Sequence, residues 1–152
     1  MTVSDLEDRL RSKALRVTRP RLAVLAALQQ HPHADTEMVI NVVRADVGAV
    51  SHQAVYDVLR VLTDVGLVRR IQPAGANARY ETRVDDNHHH LICRSCGEIV
   101  DVECAVGRAP CLTAESDHGY VIDEAEVAYW GICPDCATAA APMSESPPEG
   151  NR

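Results

Sequence analysis

SHQAVYDVLRVLTDVGLVRRI, residues 51–71, changes its hydrophobic period part-way along. Val55, Leu59 and Leu62 recur at intervals of three and four, the spacing of one helix face. Ser51 stands where an N-cap belongs, and Gly66 where a helix stops. Beyond Gly66 the period shortens. LVRRIQ (67–72) and ARYETR (78–83) have strand character and are joined by PAGAN (73–77), a Pro/Gly/Asn turn. The stretch predicts a helix followed by a two-stranded hairpin.

Upstream, the pattern is helical throughout. LEDRLRSKAL (6–15) spaces Leu6, Leu10 and Ala14 by four. Thr18 can cap a second helix, RPRLAVLAALQQ (19–30), with Pro20 in its first turn and the end before Pro32. Asp35 or Thr36 starts a third helix with Val39, Ile40 and Val43 inward, and Gly48 closes it. Short helices followed by a hairpin describe a winged helix-turn-helix, with the fourth helix as recognition helix and the hairpin as wing. A four-helix scaffold with no nucleic-acid role is the alternative.

Downstream, HLIC (90–93), EIVDVE (98–103) and YVIDEAEVAYWGIC (120–133) are expected as strands. Residues 105–118 form an irregular or helical connection broken by Gly107 and Pro110. The expected class is α+β: a winged-helix domain over 1–83, a small α/β metal-binding domain over 84–136, and a disordered tail over 137–152.

Charge divides the chain similarly. Residues 1–83 carry 12 Lys and Arg against 9 Asp and Glu, and residues 84–152 carry 3 against 13, together the net charge of −7. A mildly basic half and a strongly acidic one suit different partners. Apolar residues make up 46%, but there is no Phe and one Trp, and small domains of this kind often need a metal or an oligomer interface. No run approaches the roughly 18 apolar residues of a membrane span. The N-terminus lacks the apolar segment of a secretory signal, so the expected location is the cytoplasm. There, closely spaced cysteines are metal or redox sites before they are disulfides.

Cys93-Arg-Ser-Cys96 and Cys133-Pro-Asp-Cys136 are two C-x-x-C pairs. Four thiolates in two knuckles match tetrahedral structural zinc; a pair of redox dithiols, or ordinary buried thiols, is the other reading. Cys104 and Cys111 lack such a pattern and are expected to be small buried hydrophobes. In DNHHHLICRSC (86–96), His88 and His90 stand two apart, so on a strand they share one face while His89 points away. Glu81, Asp101 and His33 are carboxylates and an imidazole that can join them. Such a set suits Fe(II), Mn(II), Co(II) or Zn(II), against a merely solvated histidine-rich surface.

HPHADTE (31–37), SHQAVYDVLRVLTDVGLVRRI, RYE (79–81), NHHHLICRSCGEIVD (87–101) and YWGICPDC (129–136) together resemble the ferric uptake regulator family, from about residue 10 to Cys136. NHHHLICRSCG and AVGRAPCLTAESDHG (105–119) are most similar to its actinobacterial catalase-repressor and peroxide-regulator branch. The resemblance implies a homodimer that binds double-stranded operator DNA. It implies structural Zn(II) on Cys93, Cys96, Cys133 and Cys136, and a regulatory Fe(II) or Mn(II), or Zn(II), on His33, Glu81, His88, His90 and Asp101. The DNA-reading tyrosine falls on Tyr56, and in the peroxide-sensing relatives the oxidised ligands correspond to His33 and His88.

Three features depart from the family pattern. Its third metal site falls on Asn87, His89, Arg108 and Ala125, a poor ligand set, so no third site is expected. Asp57 stands where several members carry a basic residue, and an Asp accepts from a cytosine amino group. Glu81 stands where well-studied peroxide sensors often carry Asp, which favours plain iron sensing.

The expectation is a metal-dependent repressor, not an enzyme, controlling a catalase-peroxidase or other oxidative-stress gene; iron-uptake repression is the nearest alternative. Arg16, Arg19 and Arg21 would neutralise phosphate, and Ser51, Gln53, Tyr56 and Asp57 would meet bases. A zinc hydrolase and a zinc-stapled adaptor without DNA binding are rivals of another class. Five protein ligands would leave a hydrolase no open position for water.

Overall fold

Thr2 begins the first helix with a reciprocal cap: its hydroxyl accepts from the Asp5 N–H, and the Asp5 carboxylate accepts from the Thr2 N–H. The computed structural model describes residues 2–108 and 110–140, and these fall into two compact units that divide between Asp86 and Asn87.

In the first unit, α1 (Val3–Ser12), α2 (Arg19–Gln30), α3 (Thr36–Val47) and α4 (His52–Asp64) accompany three short strands, β1 (Ala34–Asp35), β2 (Arg69–Ile71) and β3 (Arg79–Glu81). Caps set the helix starts. The Asp35 carboxylate accepts from the Met38 N–H and the Ser51 hydroxyl from the Ala54 N–H. Thr18 precedes α2 but makes no side-chain cap bond; Pro20 pre-sets the first turn instead. Gly48 at φ 82° and Gly66 at φ 71° end α3 and the turn after α4 in the left-handed region that glycine enters without a Cβ clash. The α1 boundary differs from the spacing argument, which placed it at 6–15. The Thr2 cap starts it earlier, and Ala14 at φ 55° stops it short of Leu15.

Leu6 and Leu10 of α1, Val24, Leu25 and Leu28 of α2, Val39, Ile40 and Val43 of α3, and Val55, Leu59 and Leu62 of α4 close into one apolar core. Full burial of each such side chain is worth about 1.5–3 kcal/mol. Beside it the strands form an antiparallel sheet in the order β1–β3–β2, with Arg70 opposite Tyr80 and Ala34 also opposite Tyr80. Helices capped by a hairpin make this a winged helix-turn-helix. The two-residue β1, which spacing did not foresee, pairs with β3 and so fixes the turn carrying His33.

In the second unit, β4 (His88–Cys93) lies between β5 (Ile99–Glu103) and β6 (Ala128–Gly131), antiparallel to the first and parallel to the second, and α5 (Pro134–Ala140) follows. Of the strand expected over 120–133 only Ala128–Gly131 forms; Tyr120 and Val121 remain exposed. α5 runs four residues into the stretch expected as a tail, and the rest of that stretch, 141–152, lies outside the described residues.

Candidate metal centres and the exposed helix face

The parallel pairing of β4 with β6 brings the two C-x-x-C knuckles together. Cys93 at the end of β4 is in register with Gly131, and the Arg94 N–H donates to the Gly131 carbonyl at 2.8 Å. Cys133 therefore emerges beside Cys93. The thiol sulfurs of Cys93, Cys96, Cys133 and Cys136 all lie within 4.8 Å of one another. Cys96 Sγ and Cys133 Sγ are 3.8 Å apart, and thiolates held at about 2.3 Å by a tetrahedral zinc sit about 3.8 Å apart. A disulfide needs about 2.05 Å, and all four thiols are free. Backbone N–H groups favour thiolate at one of the four, Cys93, while the other three thiols are pushed up. Donation from Cys133 at 3.3 Å, then from Cys96, brings the Cys93 thiol down to about 6. Gly97, at φ 75°, turns the first knuckle back and donates to the Cys93 carbonyl. The donor set and spacing fit a closed structural zinc site.

The alternation expected of β4 holds. His88 and His90 lie on one face, their ring centroids 4.8 Å apart and nearly perpendicular. Asp101 is opposite His90 on β5, and its Oδ1 is 3.8 Å from His88 Nε2 and 3.6 Å from His90 Nε2. Both imidazoles are buried. In the first unit His33 Nε2 donates to Glu81 Oε2 at 3.1 Å. The Glu81 side chain is 1% exposed, and a buried carboxylate persists only with a partner. His33 also takes φ 61°, a backbone that costs a non-glycine residue of order 1–3 kcal/mol. Each unit thus holds imidazole beside carboxylate, Glu81 buried in the first and His88 and His90 in the second, a donor set that fits Fe(II), Mn(II) or Zn(II).

On α4 the buried Val55 and Leu59 leave Ser51, Gln53, Tyr56, Asp57 and Arg60 exposed. Tyr56 is 47% exposed. Gln53 Nε2 donates to Asp57 Oδ1 at 3.0 Å, and Arg60 Nη2 lies 3.6 Å from the same oxygen. Asp57 is therefore braced on its own helix. Arg60 and Arg70 line the groove that runs with Gln53, Tyr56 and Asp57 between α4 and the hairpin. Sequence reasoning passed over these two arginines, although Arg60 stands one turn after Tyr56. Arg16 and Arg19 are exposed at the start of α2, and Arg21 is half-buried there. Arg19 donates to the Asp46 carbonyl and Arg21 to the Arg16 carbonyl, which fixes where these cations sit.

At the cysteines outside the knuckles an expectation fails. Cys104 and Cys111 are not buried apolar thiols but half-exposed ones, and both lie beside His89. Cys111 Sγ is 3.3 Å from His89 Nε2. Burial raises the Cys104 thiol, but N–H groups of Gly107 and Val106 outweigh that and bring it below the ordinary thiol range. Burial, then the Cys104 thiol, pushes Cys111 up. The loop carries polar partners that no local spacing announced.

A family model described as ferric uptake regulator family matches residues 12–129. The chain is 62% identical over 136 residues to the transcriptional regulator FurA of Mycobacterium tuberculosis, covering 90% of this chain and 92% of that one. It is 27% identical over 128 residues to the peroxide-responsive repressor PerR of Staphylococcus aureus, covering 84% and 86%. Among solved structures, the Vibrio cholerae ferric uptake regulator matches at a TM-score of 0.63 and 25% identity, over 84% of this chain and 98% of that one. With its winged helix, its sulfur cluster and its paired imidazoles and carboxylates, this chain belongs to the ferric uptake regulator family and is a metal-responsive transcription regulator, not an enzyme.

Proposed function

We propose that the chain is a repressor that binds operator DNA as a homodimer when a divalent metal occupies a regulatory site, and that Zn(II) on Cys93, Cys96, Cys133 and Cys136 holds its second unit together. The observation that carries the regulatory reading is the pairing of imidazole with carboxylate in both units, His33 with buried Glu81 and buried His88 and His90 with Asp101. An ion ligated by all five residues would restrain the two units together. A ligand shifts a conformational equilibrium only through such a differential interaction. Hard carboxylates and borderline imidazoles favour Fe(II) or Mn(II).

The homodimer has its own support. Val100, Leu91 and Tyr129 form a row across β5, β4 and β6, each about half exposed. An apolar row on a sheet face is the surface a second copy would cover.

On the DNA side, Tyr56, Gln53, Asp57 and Ser51 would face base edges, while Arg16, Arg19, Arg21, Arg60 and Arg70 would meet phosphate. Gln53 and Arg60 both hold Asp57, so its carboxylate is pre-oriented to accept from a cytosine amino group.

The signal on this reading is Fe(II) or Mn(II) availability. Peroxide sensing, with control of a catalase-peroxidase or other oxidative-stress gene, is the second reading. It is favoured by the likeness to a peroxide-responsive repressor and opposed by Glu81 in place of Asp. Ferrous iron held by these residues would reduce peroxide, and the peroxide would supply the oxygen added to the ligand imidazoles, with His33 and His88 as targets.

The test is operator affinity under anaerobic conditions with and without added Fe(II) or Mn(II), in the wild type and in His90→Ala. The wild type should gain roughly 5- to 150-fold in affinity, the range of 1–3 kcal/mol of coupling, and His90→Ala should gain nothing while remaining a zinc-loaded dimer. Equal stimulation of both would remove the regulatory site. Peroxide added to the Fe(II) form separates the two readings. Added oxygen mass on a peptide holding His33 or His88, with operator release that dithiol does not reverse, identifies peroxide sensing. An unmodified, still-bound repressor identifies iron sensing.

A further inference from the structure

His89 stands apart from its neighbours. His88 and His90 face one side of β4, while His89 faces the other, in register with Val102. Cys104, just past the end of β5, falls on that same side by alternation. The chain then turns through Gly107, at φ 74°, and returns with Cys111. One donor atom from each of His89, Cys104 and Cys111 lies within 4.8 Å of the others, and the Cys111 sulfur is 3.3 Å from His89 Nε2.

A second observation points to a ligand. His89 is 4% exposed, so a buried imidazole turns its Nε2 toward the Cys111 sulfur, while its other nitrogen, Nδ1, has no hydrogen-bond partner among the described residues. Asn87 Nδ2, two residues upstream, is likewise buried without a partner among the described residues. A pair of thiols shaped only to form a disulfide would need no buried imidazole between them and the sheet.

We propose that His89, Cys104 and Cys111 form a third metal centre, for Zn(II) or a similar thiophilic divalent ion. Two thiolates and one neutral imidazole balance the ion's charge, and soft sulfur donors select Zn(II) over Fe(II) or Mn(II). Binding releases one proton from each thiol, leaves both sulfurs at the same oxidation level, and needs no co-reactant. Three protein ligands leave a fourth position open to water or an exogenous donor. The centre uses none of the four knuckle cysteines and none of His33, Glu81, His88, His90 or Asp101. Of the positions where the family's third site falls, it shares His89 alone.

The experiment uses the full chain, purified with its tightly held zinc and kept anaerobic and reduced. Zn(II) is added in single equivalents while maleimide alkylation of each cysteine is followed by peptide mass and fragmentation. Cys104 and Cys111 should slow together by at least tenfold on Zn(II) addition, and should do so equally in His90→Ala, so that failure of the regulatory site leaves the result unchanged. Cys111→Ser should abolish protection of Cys104. His89→Ala should also reduce it, and Cys111→Ser keeps the question answerable should the buried histidine prove necessary for folding. Co(II) in place of Zn(II) should give the wild type an extra thiolate charge-transfer band that Cys104→Ser lacks. Alkylation rates unaffected by Zn(II), protection that survives Cys111→Ser, or a Cys104–Cys111 disulfide in the anaerobic protein would each overturn the proposal.

Discussion

In the first unit the buried side chains are almost all aliphatic, from Leu10 and Leu25 to Leu59 and Leu62, whereas in the second the buried residues among those described are His88, His89, His90, Ile92 and Cys93. The second unit also leaves Leu91, Val100, Tyr129, Trp130 and Ile132 at the surface. A unit that buries so little apolar area cannot offset its chain entropy by hydrophobic burial. Ligation and a second copy are what remain to do it. The first unit is therefore an ordinary apolar fold, and on the function proposed above the second would be held by metal ligation and association with a second copy.

The largest expected effect breaks the second unit alone. Cys96→Ser removes one of four zinc ligands from a site type worth about 10–16 kcal/mol. It should lose zinc and dimerise poorly while keeping most of its helical signal, which comes from α1 to α4. Zinc content, circular dichroism and sedimentation check this; a zinc-free variant that stays a folded dimer would remove the distinction between the units.

Leu59→Ala addresses the other side. It should cost the first unit about 2–5 kcal/mol, seen as a lower urea midpoint for the helical signal, with zinc content unchanged. Loss of zinc in this variant would mean that the two units are not held by separate physics.

The smallest effects sharpen the exposed face of the first unit. Tyr56→Ala should lose about 1–3 kcal/mol on the operator and little on unrelated DNA, and Arg19→Ala should weaken both while lowering the salt slope by about one. Competition assays across salt concentrations separate the two. Equal losses on every sequence and at every salt concentration would displace α4 as the reading helix.

The same contrast explains how much could be read from residues alone. α2, α3 and α4 follow from period and punctuation because Val39, Ile40, Val43, Val55, Leu59 and Leu62 all face one core. The two knuckles were legible because C-x-x-C is a local pattern. What escaped is what depends on pairing at a distance. β1 has two residues and exists through Tyr80 and Arg79 of β3. Tyr120 and Val121 look like strand, yet they pair with no strand among the described residues, because apolar alternation says nothing about where a neighbouring strand ends. Cys104 and Cys111 are seven apart with no motif between them, and only the loop after β5 brings both to His89. Arg60 and Arg70 were missed because exposed arginines are common, and only the groove beside Tyr56 singles them out.

Hydrogen exchange before and after zinc extraction tests the central contrast most directly. With zinc in place, amides of α2 to α4 and of β4 to β6 should both be protected. After extraction by chelator under reducing conditions, β4, β5 and β6 should exchange at close to the unfolded rate, while the α2, α3 and α4 amides keep their protection. Simultaneous loss of protection in both units, or its retention in β4 to β6 without zinc, would contradict the account.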